Sequence, residues 1–187
     1  LRLQEPTDGQ ILYDGKDITK YNRRQMKQMR QNMQLIFQDP YASLDPRKSV
    51  VEIIAEYMII NRTYPSKKEI YNYAAHLMDI VGLARRYANA YPHELDGGRR
   101  QRIGIARALS LHPKFIVCDE PVSALDVSIQ AQILNLLMDL QDEMNLTYMF
   151  VTHDLSVVKH ISNHIMVMYL GQCLELSTSD ELFKRPL

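Results

Sequence analysis

No uncharged apolar run in these 187 residues approaches the roughly 18 to 20 residues of a membrane-spanning helix, and no basic-then-apolar stretch opens the chain. The sequence therefore reads as a soluble, unsecreted segment. An excess of one charge sign is also missing. Lys plus Arg and Asp plus Glu both number 22, so no global field draws the chain to nucleic acid or anionic lipid, and any polyanion must be met locally. Cysteine is scarce: Cys118 and Cys173 lie far apart inside apolar runs, without Cys-x-x-Cys spacing. That suits a reducing compartment and packing as small core hydrophobes rather than a disulfide framework. Internal repeats, low-complexity tracts and linkers are absent too. What is present is 46% hydrophobic content, enough to bury a sizeable interior in one domain, or in a core with a subdomain. The chain starts at Leu1 without an initiator Met and stops just after a helix-like stretch, and is expected to be a piece of a longer protein.

From Lys114 onward, strand-like and helix-like patterns alternate. Phe115–Cys118, Thr147–Val151 and Ile165–Tyr169 are continuous apolar runs, the pattern of parallel strands covered on both faces. Between the first two, Ile133, Leu137, Leu140 and Met144 recur on one helical face, which predicts a helix packed on the sheet through a right-handed crossover. Residues 45–111 read as helical: Val50, Ile53, Ile54, Tyr57 and Met58 form one face, and Ser66 with Glu69 forms a capping box before a helix that Gly82 ends. Gln10–Tyr13 and Met33–Phe37 read as further strands, separated by the basic stretch Lys20 to Arg30, a solvated helix face. The expected fold is α/β, with a core of 1–44 and 112–187 and a helical insertion at 45–111.

In an open parallel sheet, ligands bind beyond the carboxyl ends of the strands. Phe115–Cys118 runs into Asp119-Glu120-Pro121. One carboxylate at such a tip can face a hard cation such as Mg²⁺ and the other an attacking water. The next strand ends in His153-Asp154, bringing an imidazole to the same edge, where it can donate to a phosphate oxygen. His160 and His164 lack the His-Glu-x-x-His pattern of a zinc site. Leu95-Asp96-Gly97-Gly98-Arg99-Arg100-Gln101-Arg102 combines an N-cap residue with two glycines at a helix start, an arrangement that admits phosphate.

Together these segments resemble the ATP-binding subunits of ABC transporters, and among them the di- and oligopeptide importer group, a few of whose relatives carry nickel or metal chelates. Leu95 to Arg102 is similar to the family's signature motif, Phe115 to Glu120 to its Walker B strand, Ser123 to Asp126 to its D-loop, Gln38 to its Q-loop glutamine and His153 to its switch histidine. Tyr41 to Arg47 is also similar to what peptide importers carry there. The resemblance implies a P-loop NTPase-like core that binds ATP and Mg²⁺. It implies that Asp119 and Gln38 serve the metal, Glu120 polarises water, His153 holds the γ-phosphate, Asp126 crosses to a partner, and Gly97 and Gly98 serve nucleotide on the partner subunit. It further implies a second ATPase subunit, transmembrane permease subunits and a place at the cytoplasmic face of the membrane; no nucleic-acid partner is expected, because total charge is balanced and the basic stretch Lys20 to Arg30 reads as a solvated helix face.

Two departures stand out. The phosphate loop Gly-x-x-x-x-Gly-Lys-Ser/Thr is absent; Gly9 to Lys16 has five residues between its glycines and reads as a β-turn. The segment alone is therefore expected to bind ATP poorly. Asp96 and Arg99 stand where the family usually has Ser and Gln. A carboxylate about 4 Å from a phosphate oxygen costs on the order of 4 kcal/mol at an effective dielectric near 20. Arg99 can offset this by pairing with Asp96 or with the phosphate. An asymmetric heterodimer with one slow site is the expectation, its alternative a non-hydrolytic docking or regulatory half.

Overall fold

The computed structural model describes residues 1–185; Pro186 and Leu187, at the end of the expected core span, lie outside the described residues. The chain enters through a small hairpin, β1 (Leu12–Tyr13) and β2 (Lys16–Asp17). Its loop residues Asp14 and Gly15 both have positive φ, 50° and 71°, the backbone that a two-residue hairpin loop needs. The expected four-residue strand at Gln10–Tyr13 is thus reduced to two residues. The basic stretch folds as α1 (Arg23–Met29), capped by Asn22, with only Met26 buried.

A three-stranded parallel sheet follows, in the order β3 (Met33–Ile36), β4 (Phe115–Asp119), β5 (Thr147–Val151). Register places Ile36, Cys118 and Phe150 side by side on one face, and Leu35, Val117 and Met149 on the other. The first face joins the main core, where Ile116 and Cys118 are fully buried. Among the described residues the crossover from β3 to β4 contains three α-helices, α2 (Val50–Asn61), α3 (Lys67–Ile80) and α4 (Gly97–Leu109), two short 3-10 turns at Arg85–Tyr87 and Pro92–Glu94, and no strand. Ser66 caps α3 by accepting from Glu69 N at 3.2 Å, and Gly82 ends it at φ +66°. The β4 to β5 crossover is α5 (Val127–Met144), whose Ile133, Leu137 and Leu140 are buried as the stripe predicts. One continuous cluster links these helices to the sheet.

The third apolar run departs from expectation. His164–Tyr169 is β6, reached through α6 (Leu155–Ile161), and pairs antiparallel with β7 (Gln172–Thr178) instead of joining the parallel sheet. A last short helix, α7 (Ser179–Lys184), follows. Met166 and Met168 are exposed, as are Met149 and Val151 of β5. β5 and β6 are therefore each covered on one face only. Cys118 is buried as expected, whereas Cys173 is exposed because β7 is solvated. No helix among the described residues is long and apolar enough to cross a membrane.

Candidate functional site

The carboxyl ends of β3, β4 and β5 bring three sequence-distant side chains together. Gln38, two residues beyond β3, donates from Nε2 to Glu120 Oε2 at 2.8 Å. His153, two residues beyond β5, donates from Nδ1 to Glu120 Oε1 at 3.0 Å. Parallel pairing causes this convergence, because it leaves the outgoing loops of all three strands at one edge. Glu120 itself follows the last residue of β4 and has φ +44°, a left-handed conformation that costs a non-glycine residue roughly 1–2 kcal/mol. Its backbone is held there: its N–H donates to Val151 O at 2.9 Å, and its carbonyl accepts from Ser123 N at 3.3 Å and Ser123 Oγ at 3.1 Å. Over-determined strain of this kind is characteristic of functional sites.

The electrostatics follow from these contacts. The hydrogen bond from His153 is the main cause holding the Glu120 carboxyl below its ordinary range, with Gln38 adding to it. Glu120 is thus firmly ionised at neutral pH. Since Nδ1 donates to Glu120, the outward Nε2 of His153 carries a proton only in the imidazolium form. Asp119 is exposed at the tip of β4, and no hydrogen bond to its carboxylate occurs among the described residues. Asp154 caps α6, accepting from Ser156 N at 2.8 Å and Val157 N at 3.4 Å, which anchors the residue next to His153.

A second group of residues lies at the start of α4. Asp96 is its N-cap and accepts from Arg99 N at 2.8 Å. Its other carboxylate oxygen pairs with the Arg99 guanidinium, which also lies 5.0 Å from the centre of the Tyr87 ring. Of the two offsets open to Arg99, this arrangement is the pairing with Asp96. Sequence reasoning missed Tyr87, which no local signal connects to a helix starting ten residues later. Gly97 and Gly98 face their own chain: a Cβ on Gly97 would come 3.1 Å from Leu125 Cδ2, and one on Gly98 would come 2.7 Å from Ile129 Cγ2. Their small size permits close packing of α4 against the start of α5. Asp126, the N-cap residue of α5, makes no side-chain capping bond. The signature-like residues are hydrogen-bonded among themselves, and the Gln38, Glu120 and His153 cluster is likewise self-contained.

The family model described as ABC transporter matches residues 1–123. The chain belongs to the ABC transporter family. It is 52% identical over 188 aligned residues to the oligopeptide transport ATP-binding protein OppF of Bacillus subtilis strain 168, an alignment covering all of this chain and 62% of that protein. It is 50% identical over 184 residues to the dipeptide transport ATP-binding protein DppF of Escherichia coli K12, covering 98% of this chain and 55% of that one. The chain thus spans about three-fifths of the length of these curated relatives. Among solved structures, cbiO1 from Clostridium perfringens, part of the transporter complex cbiONQ, superposes with a TM-score of 0.87 at 27% identity, covering 98% of this chain and 71% of that one. The ATP-binding cassette MJ0796, in a dimeric post-hydrolysis state bound to ADP and Pi, gives 0.83 at 28% identity, with 95% and 76% covered. As an ABC cassette, the chain has the α/β core that its sequence implied.

Proposed function

We propose that this chain is the catalytic and signature-bearing portion of an ATP-hydrolysing subunit that powers import of peptides. The observation that carries the reading is the convergence on Glu120, with Gln38 at 2.8 Å and His153 at 3.0 Å. The names of the relatives at 50–52% identity supply the cargo class. Asp119 and Gln38 offer the oxygen donors that suit Mg²⁺, which retains waters and shares phosphate oxygens. The Asp119 carboxylate, without a hydrogen bond among the described residues, fits that assignment. Bound ATP and Mg²⁺ would supply an electrophilic γ-phosphoryl group with its charge neutralised.

In this reading Glu120 orients the attacking water. Its depressed pKa makes it a weak proton acceptor but a permanent negative partner for a water O–H. Both its oxygens are occupied by Gln38 and His153, so the water replaces one of those bonds. His153 released from Glu120 can turn an N–H toward phosphate; with Nδ1 retained on Glu120, only the imidazolium can offer Nε2–H. Residues 45–111 would form the helical unit that docks on membrane-embedded permease subunits at the cytoplasmic face, and Asp126 would meet a second ATPase subunit. The segment 1–187, with no Gly-x-x-x-x-Gly-Lys loop of its own, is expected to hydrolyse no ATP alone.

The Asp96–Arg99 ion pair supports an asymmetric heterodimer whose site completed by this signature turns over slowly. Asp96 keeps the helix cap but brings a negative charge, and Arg99 neutralises it locally instead of presenting a free amide side chain. Restoring Ser at 96 and Gln at 99 in the full-length protein should raise ATP turnover of the assembled complex; unchanged turnover removes the asymmetry. The hydrolytic reading is tested by Glu120→Gln in that complex, with a loss of about 10²-fold or more expected. Activity within twofold of the parent would leave only a docking module.

A further inference from the structure

Two arginines of α4 reach across to the segment that carries Gln38. Arg100 and Arg107 are seven residues apart and so share one helical face. The Arg100 guanidinium lies 4.8 Å from the centre of the Tyr41 ring, while its Nε donates to Pro92 O at 2.7 Å. Arg107 Nη1 donates to the main-chain carbonyl of Ser43 at 2.6 Å. Its guanidinium is flanked by the Phe37 ring at 5.9 Å and the Tyr57 ring at 5.8 Å. Only 7% of Arg107 is exposed, and among the described residues no carboxylate forms an ion pair with it.

A buried guanidinium with no direct ion pair, only the longer-range attraction of Glu56, is costly, and Arg holds its proton regardless. Packing alone does not require one there, since Met or Leu fills similar volume without desolvating a charge. What distinguishes Arg107 is the span it bridges. Phe37 immediately precedes Gln38, and Ser43 closes the turn that follows it. That turn is internally tied: Tyr41 N and Ala42 N donate to Asp39 Oδ1 at 2.7 and 3.2 Å, and Ser43 N donates to Asp39 O at 3.2 Å. A turn closed on itself moves as a unit, so fixing Phe37 and Ser43 fixes Gln38 between them.

We propose that Arg107 is a positioning residue that sets the Gln38 amide against Glu120 by clamping residues 37–43 onto α4. Because α4 is capped by Asp96, the same clamp carries any displacement of the signature-like end to the Gln38 amide. The proposal rests on the hydrolytic reading for its effect on rate, but its structural content stands apart from it.

The test uses the full-length protein assembled with its partner subunits and two readouts. Hydrogen exchange of the Tyr41 and Ala42 amides should rise roughly tenfold or more in Arg107→Met, while the β4 amides change less than about twofold. Unchanged exchange at 41–42 overturns the clamp. For turnover, Arg107→Met should lower kcat about tenfold with KM for ATP within about twofold, and should add nothing further on a Gln38→Ala background. Multiplicative losses in the double variant overturn action through Gln38. Should Arg107→Met fail to fold, Arg107→Lys, which keeps the charge but loses the flat two-ring seat, answers both questions with smaller effects in the same direction. If Gln38→Ala and Glu120→Gln both leave turnover untouched, the hydrolytic reading fails, and the exchange result still decides the clamp.

Discussion

Glu120 is the residue on which the site turns, and its surroundings make a pH prediction. Its native pKa is depressed by the His153 hydrogen bond, with Gln38 contributing. A depressed carboxylate contributes stability that is fully present above its unfolded value of 4.5 and is lost as pH falls through the lower native value. Glu120→Gln removes the titrating group, so the variant should show a shallower decline of melting temperature with acidification below that value. Parallel melting curves for parent and variant would show that the pair forms without linkage. Gly98 gives a second test at the same scale. A Cβ there would lie 2.7 Å from Ile129 Cγ2, a methyl on a β-branched side chain with little rotamer freedom in a helix. Gly98→Ala should therefore destabilise by about 1–3 kcal/mol in urea unfolding. Adding Ile129→Ala should recover part of that loss, because it deletes the clashing methyl.

At the scale of elements, the short helix α6 starts two residues after His153. Seven residues form a marginal helix, so its single side-chain cap matters. Asp154→Ala frees two first-turn amides and should cost about 1 kcal/mol, with Asp154→Ser retaining most of it. Since Asp154 adjoins His153, ATP turnover of the full-length complex should fall in the Ala variant and recover in the Ser variant. The legibility of elements in the sequence divides on similar physical grounds. β4, α5 and β5 were readable because each states its own period: an apolar run, a 3.6-residue stripe, then another run. The tips Asp119-Glu120 and His153-Asp154 were readable because parallel pairing leaves no freedom about which edge they share. The pairing of Ile165–Tyr169 was not, since an apolar run looks alike whether one face or two is covered. Gly171 and the alternation of Leu174 and Leu176 were the available signal for a hairpin, and β7 was not anticipated. Arg107 was illegible for another reason: its meaning lies in Phe37 and Ser43, more than sixty residues away in sequence, and no local pattern states it.

At the scale of the whole molecule, apolar surface is distributed unevenly. The face carrying Ile116 and Cys118 is sealed by α4 and α5, whereas Met149, Val151, Met166 and Met168 line an open cleft of about 690 Å³ between β5 and β6. Leu174 and Leu176 extend the exposed apolar area along β7. β5 also has no hydrogen-bonded neighbour on its outer side among the described residues, so an unpaired strand edge adjoins that cleft. Balanced charge removes the electrostatic repulsion that keeps such surfaces apart. An exposed edge beside a large apolar patch is a template for self-association. The 187-residue chain studied alone should therefore sediment as concentration-dependent oligomers near pH 7. Met166→Lys with Leu176→Lys places two like charges opposite each other on the exposed face. It should shift the distribution toward monomer while leaving the far-ultraviolet circular dichroism unchanged. A parent chain that stays monomeric across the same concentrations would mean that solvated backbone and side-chain entropy outweigh the apolar gain on this face.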